Sequence, residues 1–213
     1  MKIDPTGKVS RMFMSIPGQL SRNTRRYVTS SVVGKQNDNI TIEQIKTLED
    51  SKTVNVVYHV DDPNVGMGLT KNEETFKLFV GDTGLFVTLA FGDKAYTENI
   101  IYEKLLADKL PTNMGYIYEN LVAQMLTAGG NELYYHTWSR DDKHYYEIDF
   151  LLSRGFKLCP VEVKSSNNRS HTSLNVFCQK YSNRVSNRYL ACTKDLLKDS
   201  ETLIIPIYMT WLL

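Results

Sequence analysis

The chain has 213 residues, 42% of them apolar and 23% charged, and a mean hydropathy of −0.32. That is enough to bury the core of one large domain or two small ones, and it excludes a fibre, a repeat array, a disordered tail and an integral membrane protein. Lys and Arg number 25 against 24 Asp and Glu, for a net charge of +1, so a nucleic-acid or membrane partner has to be sought in local patches.

Met12, Phe13 and Ile16 stand at helical spacing over residues 10–16, and Pro17 is expected to open a second short helix through Leu20. Thr41 caps a third helix to about Ser51, with Ile42, Ile45 and Leu48 on one face. Residues 53–60 turn to strand character, a loop with Pro63, Gly66 and Gly68 follows, and residues 76–80 read as the returning strand. Three helices followed by a hairpin with a long tip is the order of a winged helix. It sets residues 1–75 apart from residues 76–213.

Beyond it, Asp82 is expected to cap a short helix through Ala90, and a further apolar-periodic helix covers about residues 97–106. Met114, Ile117, Tyr118, Leu121, Val122, Met125 and Leu126 give the clearest helical stripe in the chain, stopped by Gly129 and Gly130. Strands are predicted at 132–138, 145–152 and 156–164, joined by hairpin-sized connections. A helix over 173–186, a strand at 188–192 and a buried closing strand within 203–213 complete an α/β (α+β) fold, a mixed sheet flanked by helices. No apolar run approaches the roughly 20 residues of a spanning helix, and residues 1–10 carry no signal-peptide pattern. Cys159, Cys178 and Cys192 form neither a C-x-x-C pair nor a cluster, which points to a reducing cytoplasm.

The chemistry-bearing residues gather in two of these strands. Strict alternation puts Tyr146, Ile148, Phe150 and Leu152 on one face and Glu147 and Asp149 on the other. In Pro160-Val161-Glu162-Val163-Lys164 it sets Glu162 and Lys164 together. An Arg154-Gly155 turn would make paired residue numbers sum to about 309, bringing Glu147 opposite Glu162 with Asp149 diagonal, unless Pro160 shifts the register. Glu119, at the edge of the helical stripe, is within reach of this face. Gathered carboxylates repel unless a cation or lysine neutralises them, and Mg²⁺ suits such a set, taking one or two protein carboxylates with phosphate and water. Lys164 would then hold the attacking water and balance charge on the transition state.

A helical Glu, a strand Asp and a following Glu-x-Lys, here Glu119, Asp149 and Glu162-Val163-Lys164, resemble the PD-(D/E)XK nuclease-like superfamily. More closely, the chain resembles the C-terminal region, a domain of unknown function, that follows the ATPase module of prokaryotic AAA-type ATPases. The matching stretches are Phe76-Lys77-Leu78-Phe79 with Asp82-Thr83-Gly84-Leu85, Gly115 through Ala123, Glu147-Ile148-Asp149-Phe150, and Pro160 through Ser166. The resemblance implies a restriction-endonuclease-like sheet over residues 76–213, an ATPase module upstream on a longer chain, and Glu119, Asp149 and Glu162 as metal ligands with Lys164 catalytic. A Glu-x-Lys tripeptide arises by chance in a chain with 11 Glu and 16 Lys, so its strand setting carries the weight.

Two acid-free runs carry the positive charge. Residues 5–37 hold Lys8, Arg11, Arg22, Arg25, Arg26 and Lys35, and residues 163–194 hold Lys164, Arg169, Lys180, Arg184, Arg188 and Lys194. Such segregation suits phosphate-backbone contact with DNA. Three readings stay open: a Mg²⁺-dependent nuclease, a non-catalytic module that binds DNA or protein for the ATPase, and a scaffold whose polar face is structural. Gly34-Lys35 is no phosphate loop, because Gln36 stands where Ser or Thr is required. The four histidines show no metal-ligand spacing.

Overall fold

The structure is a computed structural model that describes residues 7–22, 25–34, 38–92, 103–104, 107, 114–164 and 171–213. Helix α1 (Lys8–Leu20) continues through Pro17, where two helices are predicted. An interior proline costs about 3 kcal/mol, and the burial of Met12, Ile16 and Leu20, each at most 1% exposed, outweighs it. A short α2 (Ser30–Val33) and α3 (Asp38–Asp50) lead into β1 (Val54–Val60) and β2 (Lys71–Val80). Helix α4 (Thr83–Phe91) starts as expected, with the Asp82 side chain accepting from Leu85 N. The helix predicted over 97–106 lies largely outside the described residues.

Helix α5 (Gly115–Ala128) carries the apolar stripe read from the sequence, and β3 (Leu133–Ser139), β4 (Tyr145–Arg154) and β5 (Lys157–Val163) follow it. Helix α6 (Thr172–Lys180) ends six residues before the expected Ser186; Tyr181 N bonds Phe177 O and Arg184 N bonds Tyr181 O, a closing turn. Strands β6 (Arg188–Cys192), β7 (Leu197–Asp199) and β8 (Thr202–Pro206) complete the chain with a 3₁₀ segment, Ile207–Leu212. The apolar C-terminus is thus a strand only to Pro206, whose ring ends the ladder. The 3₁₀ turns that replace it pack on α5.

The eight strands among the described residues form one mixed sheet in the order β2-β1-β3-β4-β5-β6-β8-β7. Strand β1 pairs antiparallel with β2 and parallel with β3, which places the hairpin in the same sheet as the later strands. The expected divide between residues 75 and 76 falls inside β2. The larger core cluster joins Met12, Ile16 and Tyr27 to Phe79, Phe86, Ile117, Phe150 and Val161. A smaller one gathers Ile148, Leu151 and Leu158 under Leu174 and Phe177 of α6, so helices cover both faces around β4.

Two register findings correct the sequence reading. In β4 and β5, Phe150 pairs with Val161 and Arg154 with Lys157, so partners sum to 311 rather than 309. The turn is Gly155-Phe156, and Gly155 takes φ +59°, the left-handed value that a two-residue hairpin places on glycine. Between β3 and β4, Tyr134 faces Leu151 but His136 faces Ile148, so three steps along β4 match two along β3. The extra residue is a β-bulge at Asp149-Phe150, and it breaks the predicted alternation: Ile148 and Leu151 enter the smaller cluster, Phe150 and Leu152 the larger.

Candidate active site

The bulge sets Asp149 where β4 and β5 stop pairing. Its Oδ2 accepts from Val163 N at 2.8 Å, so a carboxylate takes the place of a ladder carbonyl and pins the end of β5. Continuing the register of 311 brings Asp149, not Glu147, opposite Glu162. Both are buried, at 6% and 3% exposure.

Glu162 Oε1 accepts from Lys164 Nζ at 2.7 Å, while Glu162 Oε2 is buried with no partner. Burial and the neighbouring Asp149 carboxylate push Glu162 up to about 8, against the pull of Lys164. Burial works against the Lys164 ammonium, but Glu162 and Asp149 outweigh it, so its net shift is upward and it stays charged.

Glu119, on α5, is buried and held by the Arg25 guanidinium from the segment after α1. Its Oε2 is a second buried carboxylate oxygen without a partner. Arg25 has φ +48°, a left-handed value costly for a side chain with Cβ, and its charge also reaches Lys164. Glu147, expected beside Glu162, instead accepts at 2.6 Å from Lys77 Nζ, whose side chain is fully buried and lies 4.8 Å from the Tyr135 ring centroid. Asp149, Glu162 and Lys164 therefore meet where β4 and β5 end, Glu119 is held on α5 by Arg25, and Lys77 takes Glu147.

Sequence reasoning missed Lys77 and Arg25 as the partners of Glu147 and Glu119. Lys77 left a signal, as the one charge in the apolar run Phe76-Lys77-Leu78-Phe79-Val80; a buried charge needs a partner. Arg25 left none, since its partner lies 94 residues on. Asn120, beside Glu119, was also unmarked: it bonds Val80 N, Val80 O and Thr83 Oγ1 and fixes α5 against β2 and α4.

Among the described residues no group of three or more His, Cys, Asp or Glu side chains lies together as a metal ion would need. A divalent ion would therefore rest on the carboxylate pair Asp149 and Glu162, or on Glu119 once Arg25 is displaced.

Several basic residues of the two acid-free runs are spent inside the molecule. Arg25, Lys164, Arg184 and Arg188 pair with Glu119, Glu162, Asp62 and Glu201. Lys35 and Arg169 lie outside the described residues. Cys159 is a fully buried core residue and the three cysteines are free. Among the described residues no helix is long and apolar enough to cross a membrane.

Residues 114–210, from the start of α5 into the final 3₁₀ segment, match the family described as a domain of unknown function, DUF4143. All of Glu119, Asp149, Glu162 and Lys164 lie within the match, whereas Arg25 and Lys77 lie before it. No curated protein and no solved structure matches the chain.

Proposed function

We propose that the chain engages DNA and that the face bearing Glu119, Asp149, Glu162 and Lys164 hydrolyses phosphodiester bonds with Mg²⁺. The supporting observation is the pair of unpartnered buried oxygens, Oε2 of Glu119 and Oε2 of Glu162. A buried polar atom without a partner costs about 1–3 kcal/mol and calls for an explanation, and a cation supplies one. The donor set fits, since Mg²⁺ takes oxygen ligands and typically one or two protein carboxylates. Asp149 and Glu162 would hold it, and Glu119 would join as a further ligand only on release from Arg25.

When bound, the ion would polarise a phosphoryl oxygen and acidify a water. The chain's own residues do the rest. Val163 N fixes the Asp149 carboxylate, and a cation beside Glu162 would draw off the proton that burial favours. Lys164, charged and 24% exposed along its side chain, can turn from Glu162 to a phosphate oxygen and offset the charge that builds there. On the same reading, which leans on the resemblance to nuclease-like domains, the chain is the C-terminal portion of an AAA-type ATPase.

One observation favours a second reading, a non-catalytic DNA- or protein-interaction module serving that ATPase. Glu119, Glu147 and Glu162 already have Arg25, Lys77 and Lys164 as counter-charges. Calorimetric titration of Mn²⁺ into the wild type and an Asp149→Asn/Glu162→Gln variant, followed by plasmid nicking in Mg²⁺, separates the two. Metal binding and nicking lost together in the variant are the expected result. Absence of both in the wild type leaves the second reading.

A further inference from the structure

Four aromatic rings of β1, β3 and β4 form a row. His59, His136, Trp138 and Tyr146 stand nearly parallel, with successive centroids 5.7, 5.6 and 5.3 Å apart and interplanar angles of 21°, 13° and 29°. The strand geometry explains it: His136 and Trp138 are two apart on β3, and Tyr146 is the cross-strand partner of Trp138. The inner end is buried and neutral, because burial lowers both histidines. The outer end opens near the tip of the β3–β4 hairpin, where Trp138 and Tyr146 are half-buried and Tyr145 is 69% exposed.

Cations sit at that open end. The Arg140 guanidinium lies 5.7 Å from the Tyr146 centroid, and Lys180 Nζ lies 5.9 Å from that of Trp138 and 5.2 Å from that of Tyr181. Arg140 and Lys180 are exposed, and neither makes an ion pair among the described residues. Their charge is therefore free to meet an anion, unlike that of Arg184, which Asp62 takes.

We infer that Trp138, Tyr146, Arg140 and Lys180 form a binding platform for single-stranded nucleic acid, on which a base takes the outer face of Tyr146 as the exposed Arg140 swings from that ring to a flanking phosphate, with Lys180 meeting another. Every base has a π-face, so stacking on an aromatic row tolerates sequence, and a cation beside each ring supplies the electrostatic half of the contact. A duplex keeps its bases stacked inside and cannot use the row. Thr137 and Glu147, the neighbouring cross-strand pair, point to the other side of the sheet. The platform requires no metal and does not rest on the nuclease reading.

The chain has two tryptophans, so a Trp211→Phe background leaves Trp138 as the sole indole reporter. The test is titration of a roughly ten-nucleotide thymidine oligomer into this protein in EDTA at low salt. Saturable quenching is expected, weakening as salt rises. Tyr146→Leu should weaken binding about tenfold, and the exposed Arg140→Gln, which leaves the packing alone, several-fold. Asp149→Asn/Glu162→Gln should keep the quenching whatever its effect on nicking, so the two readings fail separately. No quenching, equal affinity in Arg140→Gln, or tighter binding of the matching duplex would overturn the proposal.

Discussion

Lys77 and Glu162 show how far a single side chain's behaviour is set by what surrounds it. Lys77 is an ordinary lysine that the fold strips of water completely and gives one carboxylate, Glu147. Breaking a buried pair leaves an uncompensated charge, at about 3–5 kcal/mol. Lys77→Met should therefore lose about 3 kcal/mol in denaturant unfolding, and Lys77→Met/Glu147→Leu should recover most of it. Glu162 gives a pH signature. Its carboxyl rises from the ordinary 4.5 to about 8, so the folded chain binds that proton more tightly than the unfolded one. The corresponding stability is complete below 4.5 and is lost as pH rises through 8, while Lys164, also shifted upward, stays protonated across that window. His59 and His136, lowered by burial, pull the other way over the same range, so the signature is a difference: the thermal midpoint of Glu162→Gln relative to the wild type should rise as pH goes from about 5 to about 8. The sequence marked Glu119, Asp149, Glu162 and Lys164 through type and spacing. It carried no trace of Arg25, because an ion pair between distant segments leaves no local pattern.

At the scale of elements, the Asp82 cap and the α5 stripe reappear where local chemistry decides them, whereas the cap expected at Thr41 does not, because α3 already begins at Asp38. Asp82 caps α4 and the stripe of α5 is the one predicted, since a cap and a 3.6-residue period concern only neighbouring residues. Asp82→Ala should cost about 1 kcal/mol in thermal unfolding. Pro17, the 309 register and the closing strand misled for one reason: each depends on a partner elsewhere in the chain. Gly129 shows the same dependence. A Cβ there would lie 2.4 Å from Trp211 O, so Gly129 lets the C-terminal 3₁₀ segment dock, while Gly130, at φ +85°, takes the left-handed turn that stops α5. Gly129→Ala should lift that segment, exposing Ile207 and Thr210, and amide hydrogen exchange would register it as lost protection over 207–212.

For the whole molecule, the eight-stranded sheet binds the two expected regions together. Met12, Ile16 and Tyr27 share a cluster with Phe86, Ile117 and Phe150, and β1 lies between β2 and β3. A chain begun at residue 76, the boundary suggested by the winged-helix order, would lose β1, half of β2 and the cover of α1. It should show no cooperative unfolding transition, whereas far-ultraviolet dichroism and tryptophan emission of the full chain should change together in urea. The amino-acid sequence by itself determined the element types, the helix-flanked sheet and the residue types of the polar face, because these follow from periodicity, capping and turn chemistry along the chain. Only the tertiary structure decided that the hairpin joins the large sheet, that Asp149 sits on a bulge opposite Glu162, and that Arg25 and Lys77 answer the carboxylates. Strand order, register and charge pairing are set by which distant segments exclude water together, and that is a property of the packed whole.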